Sequence, residues 1–537
     1  MMNFLLFSFA MEAQYIDYEE TRCFSPALIR YIRQDADLKP FYHQPSNLAG
    51  FKALLANKKV IANRQTLVDA LKEQYQQIRI SSSTQAHINQ LLEHNSFTIT
   101  TGHQLNIFTG PLYFIFKIVT AINLAKDLKK EFPNQNFIPV YWMASEDHDF
   151  EEINHTYIGG KKISWKKETS GAAGRVDTQS IIQALNEYKG ILGLSDNALK
   201  LSEIVQEAYT KFTKLADATR YLVNELFGEH GLVIIDADHP ELKKQFAPII
   251  KQDIVGQHSF QNISKTNEAL TKIGITPQVN AREINFFYLT DDLRERIVFE
   301  NNQYQVLNTD IKFSEDELHL EIENYPERFS PNVVMRPLYQ EVILPNIAYI
   351  GGGAEVIYWL QLKSNFDFYK VDYPILILRN SAMIASPKLK DKLNRLKLDF
   401  KDIFEDIDTL KSRWIKVHSN HILDLKNEWR EIDCIFEKLK LRAHKIDPTL
   451  SPSTEAVKVR LEKAILNLEK KLLKAEKKNF ADAMNNLDKI KSVLFPGGGL
   501  QERKENFGLF YVAQGDDFIQ NLIQHFIPLD FKFTILI

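Results

Sequence analysis

The feature that most constrains this 537-residue sequence is a run of apolar residues spaced alternately three and four apart. The run covers 389–417, resumes over 422–443 and restarts over 461–475. Such spacing puts the apolar side chains on one seam of an α-helix, which is typical of a coiled coil. The two prolines between the second and third runs break the helix, so the sequence predicts an antiparallel hairpin over residues 384–495. A helical bundle packed on the rest of the protein is the alternative.

Two details refine the predicted hairpin. A kink is expected at Leu398-Asp399, where the Asp399 side chain can cap a new helix start. The stretch 458–478 is rich in lysine, which by itself could indicate RNA contact. Glutamates recur there every seven residues, at 455, 462, 469 and 476, and we therefore expect a solvated face of the coiled coil.

The preceding residues show a different rhythm. Apolar, β-branched runs at 97–101, 137–143, 231–235, 347–350 and 374–378 are each followed by a turn, and predicted helices lie between them. Strands that alternate with helices indicate an α/β fold with a parallel sheet covered by helices on both faces.

Two stretches do not follow this rhythm and are predicted to be insertions into a core of residues 1–383. The first, about 159–225, is mostly helical. The second, about 255–325, contains a hairpin that turns at Asn301-Asn302. Residues 496–537 return to mixed apolar sequence and are expected to pack back on the core.

Composition excludes several classes of protein. A formal net charge of -3 argues against a dedicated nucleic-acid binder. Two cysteines cannot build a disulfide framework or a cysteine-ligated zinc site, which favours the cytoplasm. No run of 18 apolar residues is present, so no membrane span is expected. The first ten residues are apolar but lack a basic flank, and Met11 is interpreted as the translation start, with a degenerate export signal as the alternative.

Two glycine-rich turns join a predicted strand to a predicted helix. Backbone N–H groups and the helix dipole favour an anion such as phosphate at such places, although a simple turn is an equal alternative at the first one. The candidates at the first turn are Gly102, His103, Gln104, Thr109, Gly110, Tyr113 and Lys117. Those at the second turn are Gly351, Gly352, Gly353, Glu355 and Tyr358.

Charged side chains mark two further segments. The second strand ends in Glu146, Asp147, His148 and Asp149, and ligands of open α/β sheets bind at the carboxyl ends of strands. These carboxylates can hold a divalent metal, ribose hydroxyls or an ammonium group, and a solvated loop is the alternative. Arg336, with Gln340 one turn further on, is suited to bind carboxylate or phosphate, and a structural pairing with the acidic loop is an equal alternative.

Together these segments resemble the BshC family, the cysteine ligases of bacillithiol biosynthesis. The resemblance runs from about Tyr18 to the helical hairpin. Its clearest stretches are TGHQLNIFTGPLYFIFK, PVYWMASEDHDFEEIN and ERFSPNVVMRPLYQEVILPNIAYIGGGAEVIYW.

The resemblance implies that the carboxyl group of L-cysteine is joined to the amine of glucosaminyl-malate. It also implies a Rossmann-like core similar to class I nucleotidyltransferases, a bound adenine nucleotide such as ATP or ADP, and a homodimer formed through the coiled coil. The turn at His103 resembles the place of the HIGH-type motif of those enzymes. It has one histidine and no KMSKS-like partner, which leaves ATP use at this turn open.

Under this resemblance we assign catalytic roles to His103, Asp147 and His148. His103 would donate to a phosphate oxygen, and His148 or a neighbouring carboxylate would accept a proton from the attacking amine. The other candidates listed above would contact substrate, nucleotide or Mg²⁺. An aminoacyl-tRNA-synthetase-like enzyme with another acceptor, and a non-catalytic coiled-coil scaffold, are the competing functions.

Overall fold

The computed structural model describes residues 11–537, so the interpretation of residues 1–10 lies outside it. The described chain forms two compact units. The first comprises residues up to Ile384 together with Gly499–Leu536, and the second is Ala385–Gly498. No helix within residues 11–537 has both the length and the apolar composition of a membrane span.

The strands, in chain order, are β1 (Ala13–Asp17), β2 (Ser96–His103), β3 (Asn136–Met143), β4 (His155–Ile158), β5 (Lys161–Ser164), β6 (Val233–Asp236), β7 (Phe286–Thr290), β8 (Leu293–Glu300), β9 (Gln303–Val306), β10 (Lys312–Phe313), β11 (Phe329–Pro331), β12 (Asn346–Gly351), β13 (Ile375–Leu378), β14 (Ala382–Ile384) and β15 (Lys532–Leu536).

The α-helices are α1 (Tyr18–Thr21), α2 (Pro26–Ile32), α3 (Leu48–Asn57), α4 (Arg64–Gln74), α5 (Ser82–Gln90), α6 (Tyr113–Glu131), α7 (Phe150–Ile153), α8 (Ile182–Leu192), α9 (Asp196–Lys211), α10 (Leu215–Phe227), α11 (Pro240–Gly256), α12 (His258–Lys272), α13 (Glu315–Asn324), α14 (Arg336–Ile343), α15 (Gly353–Trp359), α16 (Lys363–Tyr369), α17 (Pro387–Arg395), α18 (Ile407–His418), α19 (Lys426–Ile446), α20 (Leu450–Asn479), α21 (Ala481–Leu494), α22 (Gly508–Gln514) and α23 (Asp517–His525).

A five-stranded parallel sheet forms the centre of the first unit, in the order β13-β12-β2-β3-β6. Its strands are the five predicted ones, and both faces of the sheet are covered, so that β2 and β3 are buried along nearly their whole length. Ile99, Ile138, Ile350 and Ile377 are fully buried in it. The predicted α/β, Rossmann-like parallel sheet is therefore confirmed.

The two stretches predicted to be insertions contain different structures. The first holds the helices α8, α9 and α10 after the small β4-β5 hairpin. The second contributes to an antiparallel sheet in the order β10-β9-β8-β7-β11. Its β8-β9 hairpin turns at Asn301 and Asn302, whose φ angles of 52° and 62° are left-handed, as the sequence predicted.

The end of the chain belongs to the first unit. Strand β15 pairs antiparallel with β1 and parallel with β14, which makes a separate three-stranded sheet. Phe533 and Ile535 are fully buried there. Residues 499–536 therefore pack with the Rossmann-like core.

The second unit contains the predicted antiparallel hairpin, but only in part of the expected range. Helices α19 and α20 pair along their lengths and are joined at Pro448. The expectation that 389–417 extends the coiled coil was wrong, because left-handed Lys397 and two further breaks divide it into α17, a short turn and α18. Its apolar residues Leu410 and Trp414 pack instead in a small core with α21. The predicted break at Asp399 is present, and its side chain accepts the Lys401 N–H at 2.8 Å.

The glutamates at heptad spacing form a solvated face in part, since Glu462 is exposed whereas the other three make contacts within the unit. Glu455 pairs with Lys440 at 2.7 Å, Glu469 accepts the Leu425 N–H at 2.7 Å, and the buried Glu476 accepts the Ser419 hydroxyl at 2.8 Å. The lysine-rich stretch 458–478 is nonetheless largely exposed, as predicted for a solvated face, and its glutamates also bond to neighbouring segments of the hairpin.

Candidate active site

A cavity of about 890 Å³ opens at the carboxyl ends of β2, β3 and β12. The antiparallel sheet of the second insertion forms its opposite wall, through β7, β8 and the residues that follow β11. This is the place where open α/β sheets bind ligands, because several strands end there and their loops diverge.

The cavity brings together most of the predicted site residues. Those that line it are Gly102, His103, Gln104, Tyr113, Lys117, Glu146, Asp147, His148, Arg336, Gly352, Gly353, Glu355 and Tyr358. Those outside its lining are Thr109, Gly110, Asp149, Gln340 and Gly351.

The turn at Thr109-Gly110 has a structural role. Phe108, Thr109 and Gly110 all have left-handed φ angles, of 52°, 70° and 64°. The amide of Asn506 donates to the carbonyls of Phe108 and Gly110, at 2.8 and 2.7 Å, and so holds the turn. A Cβ on Gly110 would lie 2.7 Å from that of Asn106. Thr109 and Gly110 therefore shape the turn and lie outside the cavity lining, in place of the predicted contact with a ligand.

Asp149 and Gln340 support other residues. Asp149 caps α7 and accepts the Glu152 N–H at 3.3 Å. Gln340 is fully buried, accepts from Arg336 Nη1 at 3.0 Å and donates to Glu341 at 2.9 Å. Gln340 therefore orients the guanidinium that lines the cavity.

An internal carboxylate occupies the predicted anion position of the Gly351–Gly353 turn. Glu355 Oε2 accepts the Gly352 N–H at 2.7 Å, and Oε1 accepts the Tyr349 hydroxyl at 2.8 Å. Burial raises the pKa of Glu355, but the Lys117 ammonium and these hydrogen bonds outweigh it and hold the pKa below its usual value. The turn thus binds a carboxylate of its own chain.

His103 is present as a neutral imidazole. Its Nδ1 lies 2.9 Å from the Gln104 carbonyl, which can only accept, so Nδ1 carries the proton and Nε2 is an acceptor. Burial, together with the Lys117 charge, lowers the pKa of His103 to about 3. The predicted donation from His103 to a phosphate oxygen does not fit this state.

Within the acidic loop, Glu146 and Asp147 have different partners. Glu146 is buried and pairs with Lys243, which is fully buried in α11 and also donates to the Phe329 carbonyl at 2.9 Å. Burial raises the pKa of Glu146 to about 7, although Lys243 opposes the shift. Asp147 accepts from Gln104 at 2.8 Å.

His148 contacts the opposite wall of the cavity. Arg294 Nη1 donates to its Nδ1 at 2.6 Å, and the Arg294 guanidinium stacks on Phe287 with 4.0 Å to the ring centroid. Arg294 and Arg296 are two apart on β8, which puts them on one face of the strand. The spacing of two residues within the predicted hairpin could have identified both arginines as site candidates. No feature of the sequence marked Lys243 as a site residue.

Positive charge exceeds negative charge in the cavity lining. The cationic side chains are Lys117, Arg282, Arg294, Arg296, Arg336, Arg379 and Arg503, and the carboxylates are Glu146, Asp147 and Glu355. Lys117 pairs with Glu355 at 2.6 Å and Arg379 with Glu502 at 2.7 Å. Within residues 11–537 the other five guanidinium groups form no salt bridge to a carboxylate. The cavity therefore fits a ligand with more than one anionic group.

No cluster of three or more His, Cys, Asp or Glu side chains is arranged to hold a metal ion in residues 11–537. Within residues 11–537, Cys23 and Cys434 form no disulfide.

Comparison with known proteins decides the family. The N-terminal Rossmann-like domain of bacillithiol biosynthesis BshC matches residues 11–380, and its C-terminal coiled-coil domain matches residues 382–537. The chain belongs to the BshC family.

Its BshC relatives extend over almost the whole sequence. A protein of Flavobacterium johnsoniae is 44% identical over 529 residues, which cover 98% of this chain and 100% of the relative. A protein of Bacillus cytotoxicus is 28% identical over 509 residues, which cover 92% and 94%. Both carry the name "Putative cysteine ligase BshC".

Proposed function

We propose that this chain joins L-cysteine to glucosaminyl-malate through an amide bond, the last step of bacillithiol biosynthesis. The observation that carries the proposal is the match along nearly the whole chain to a relative named as a cysteine ligase, 44% identical. The chemistry of the cavity agrees with it, since the acceptor carries two malate carboxylates and the lining has unpaired guanidinium groups.

The guanidinium groups lie in two parts of the cavity lining, and each part can bind an anion. Arg336 lies beside Gly102, and its guanidinium carbon is 5.7 Å from the Tyr349 ring centroid. Arg294 and Arg296 lie on the wall formed by the insertion. Guanidinium groups bind carboxylates in a bidentate manner, so these two regions are suited to the malate group and to a second anion.

The acidic loop is the complementary region for a positive charge. Glu146 and Asp147 both line the cavity. A substrate ammonium, from either cysteine or glucosamine, bonds favourably to these carboxylates. The two substrates are thus oriented by opposite charges at the carboxyl ends of neighbouring strands.

Amide formation from a free carboxylate is unfavourable, so the cysteine carboxyl has to be activated. An adenine nucleotide, when bound, supplies the phosphoryl or adenylyl group for this activation. The unpaired guanidinium groups fit its polyphosphate charge, with Arg336 and Arg503 as the residues that would hold it. Mg²⁺ would then accompany the phosphates, as it commonly does.

The same proposal includes a homodimer formed through the coiled coil. Large apolar side chains are exposed on α19 and α20, namely Ile435, Leu439, Leu441, Val457, Val459, Leu466 and Leu468. Such a surface favours a protein partner. Light scattering of the wild type and of Leu441→Glu/Leu466→Glu tests this, with loss of the dimer in the variant as the expected result. The absence of a disulfide among residues 11–537 fits a reducing cytoplasm.

The activity is tested by incubating the full chain with L-cysteine, glucosaminyl-malate and ATP-Mg²⁺ and measuring the amide product by mass spectrometry. Asp147→Ala and His103→Ala are expected to lower the rate strongly, whereas Lys244→Ala, on an exposed position of α11, should not. Absence of product with every nucleotide tested contradicts the proposed reaction. Full activity of both site variants contradicts the proposed site.

A further inference from the structure

The buried pair of Lys243 and Glu146 has a geometry that the binding roles above do not use. The Lys243 ammonium donates to Glu146 Oε1 and to the Phe329 carbonyl, and it lies 5.3 Å from the Tyr339 ring centroid. Glu146 itself lines the cavity. Its second oxygen, Oε2, receives no hydrogen bond from the residues described, so this oxygen is free to bond a ligand.

The other candidate proton acceptors on this side of the cavity are already engaged. Asp147 Oδ2 accepts from Gln104 at 2.8 Å, and Oδ1 accepts the His148 N–H at 2.8 Å. His148 Nδ1 accepts a hydrogen bond from Arg294, so in the neutral imidazole the hydrogen is on Nε2. Neither ring nitrogen then has an unused lone pair. Both Asp147 oxygens thus already accept a hydrogen bond, whereas Glu146 Oε2 accepts none from residues 11–537.

We propose that Glu146 takes the proton from the substrate ammonium and that Lys243 is the positioning residue that keeps Glu146 in place and ionised. This inference rests on the proposed amide-forming function. In the step, one N–H bond of the ammonium breaks and one O–H bond forms at Glu146 Oε2. The products are a neutral amine, which can attack a carbonyl carbon, and a neutral carboxyl group.

The electrostatic surroundings of Glu146 suit this exchange. Burial raises its pKa to about 7, while Lys243 and Arg294 lower it and Asp238 raises it. Tyr339 also faces the group. A base with a pKa near the working pH both accepts a proton and releases it again. Without Lys243, burial would be less opposed and Glu146 would be protonated at neutral pH.

Infrared spectroscopy of the wild type tests the first half of the inference without substrate. The carboxyl absorption band that is absent from Glu146→Gln belongs to Glu146, and in the wild type it should titrate with a midpoint near neutral pH. In Lys243→Met its midpoint should move to higher pH, and in Lys243→Arg it should stay near that of the wild type. Lys251 lies on the same helix as Lys243, pairs with Glu323 and is outside the cavity lining, so Lys251→Met should leave the midpoint unchanged.

Kinetics test the second half. Glu146→Gln, if folded, should lose at least a hundredfold in kcat, in line with the contribution of a general base. Lys243→Met should lose activity at pH 7 and recover part of it at higher pH. A folded Glu146→Gln that retains wild-type kcat overturns the inference, and so does a Glu146 band that does not titrate between pH 5 and 9. Because the infrared titration needs no turnover, it separates failure of this inference from failure of the proposed reaction.

Discussion

The ammonium nitrogen of Lys117 lies 2.6 Å from the Glu355 carboxylate, and the same carboxylate oxygen accepts the N–H of Gly352 at 2.7 Å. Lys117 also donates to the Gly102 carbonyl at 2.8 Å. One buried salt bridge thus ties the two glycine-rich turns together. It leaves Arg336 and the insertion arginines, rather than Lys117, to bind the substrate anions.

Removing one partner of this salt bridge should destabilise the protein. Lys117→Met leaves Glu355 without its cation in a largely buried position, a change that costs about 3–5 kcal/mol. Chemical denaturation should show this loss, and the double variant Lys117→Met/Glu355→Gln should recover much of it. Lys126→Met, on the exposed side of the same helix, is the matched control. Equal stability of Lys117→Met and the control would contradict a structural role for the pair.

Arg296→Ala should weaken binding of the anionic substrate in particular. A hydrogen bond between charged groups contributes roughly 1.5–3 kcal/mol, so KM for glucosaminyl-malate should rise about tenfold or more. KM for cysteine should change little if Arg296 binds the malate group. Steady-state kinetics with each substrate varied in turn measure both values. Arg460→Ala, on the exposed coiled coil, is the control, and an equal effect on both substrates would contradict the assignment.

The buried carboxyl of Glu341 should make stability fall as pH rises. Burial, opposed by Lys58 and by hydrogen bonds from Asn346 and Gln340, raises its pKa from 4.5 to about 7. The folded state therefore holds the proton more tightly than the unfolded state, and stability is lost between pH 4.5 and 7 and then stays constant.

The contribution of Glu341 is on the order of 3 kcal/mol. Glu341→Gln stays neutral throughout, so its stability relative to the wild type should increase by about this amount from pH 5 to pH 8. Unfolding measured at both pH values checks it. Glu300→Gln, at an exposed position, should show no such trend. A pH-independent difference between Glu341→Gln and the wild type would contradict the buried, proton-binding state.

His103 should remain neutral under all working conditions. Its pKa of about 3 follows first from burial and then from the Lys117 charge. In NMR spectra of protein with ¹³C-labelled histidine, the signal that is missing in His103→Asn should not shift between pH 5 and 8. A midpoint near 6.5 for that signal would contradict the neutral acceptor state.

The sheet was predictable because its five strands are buried on both faces and are therefore rich in apolar and β-branched residues. The hairpin at Asn301-Asn302 was predictable because both residues tolerate left-handed φ angles. The packing of the run 389–417 could not be predicted, because the spacing of apolar residues shows that one side of a helix is buried but not which element covers that side. There the partner is a small local core around Leu410.

Much of the cavity lining also followed from the sequence, since motifs at the ends of parallel strands meet at one edge. Their individual roles did not follow. Glu355 and Lys117 neutralise each other, a pairing that depends on two elements more than 200 residues apart. Lys243 lies in the middle of an ordinary helical pattern, and only the folded chain brings it to Glu146.

The most direct test of the central claim is a simultaneous measurement of amide product and consumed nucleotide in one reaction. The full chain is incubated with L-cysteine, glucosaminyl-malate and ATP-Mg²⁺, and both are quantified by mass spectrometry over time. We expect many turnovers of bacillithiol, with one nucleotide consumed per amide formed and a strong loss of both in Arg336→Ala. Folded protein that binds both substrates yet forms no amide with any nucleotide would contradict the account.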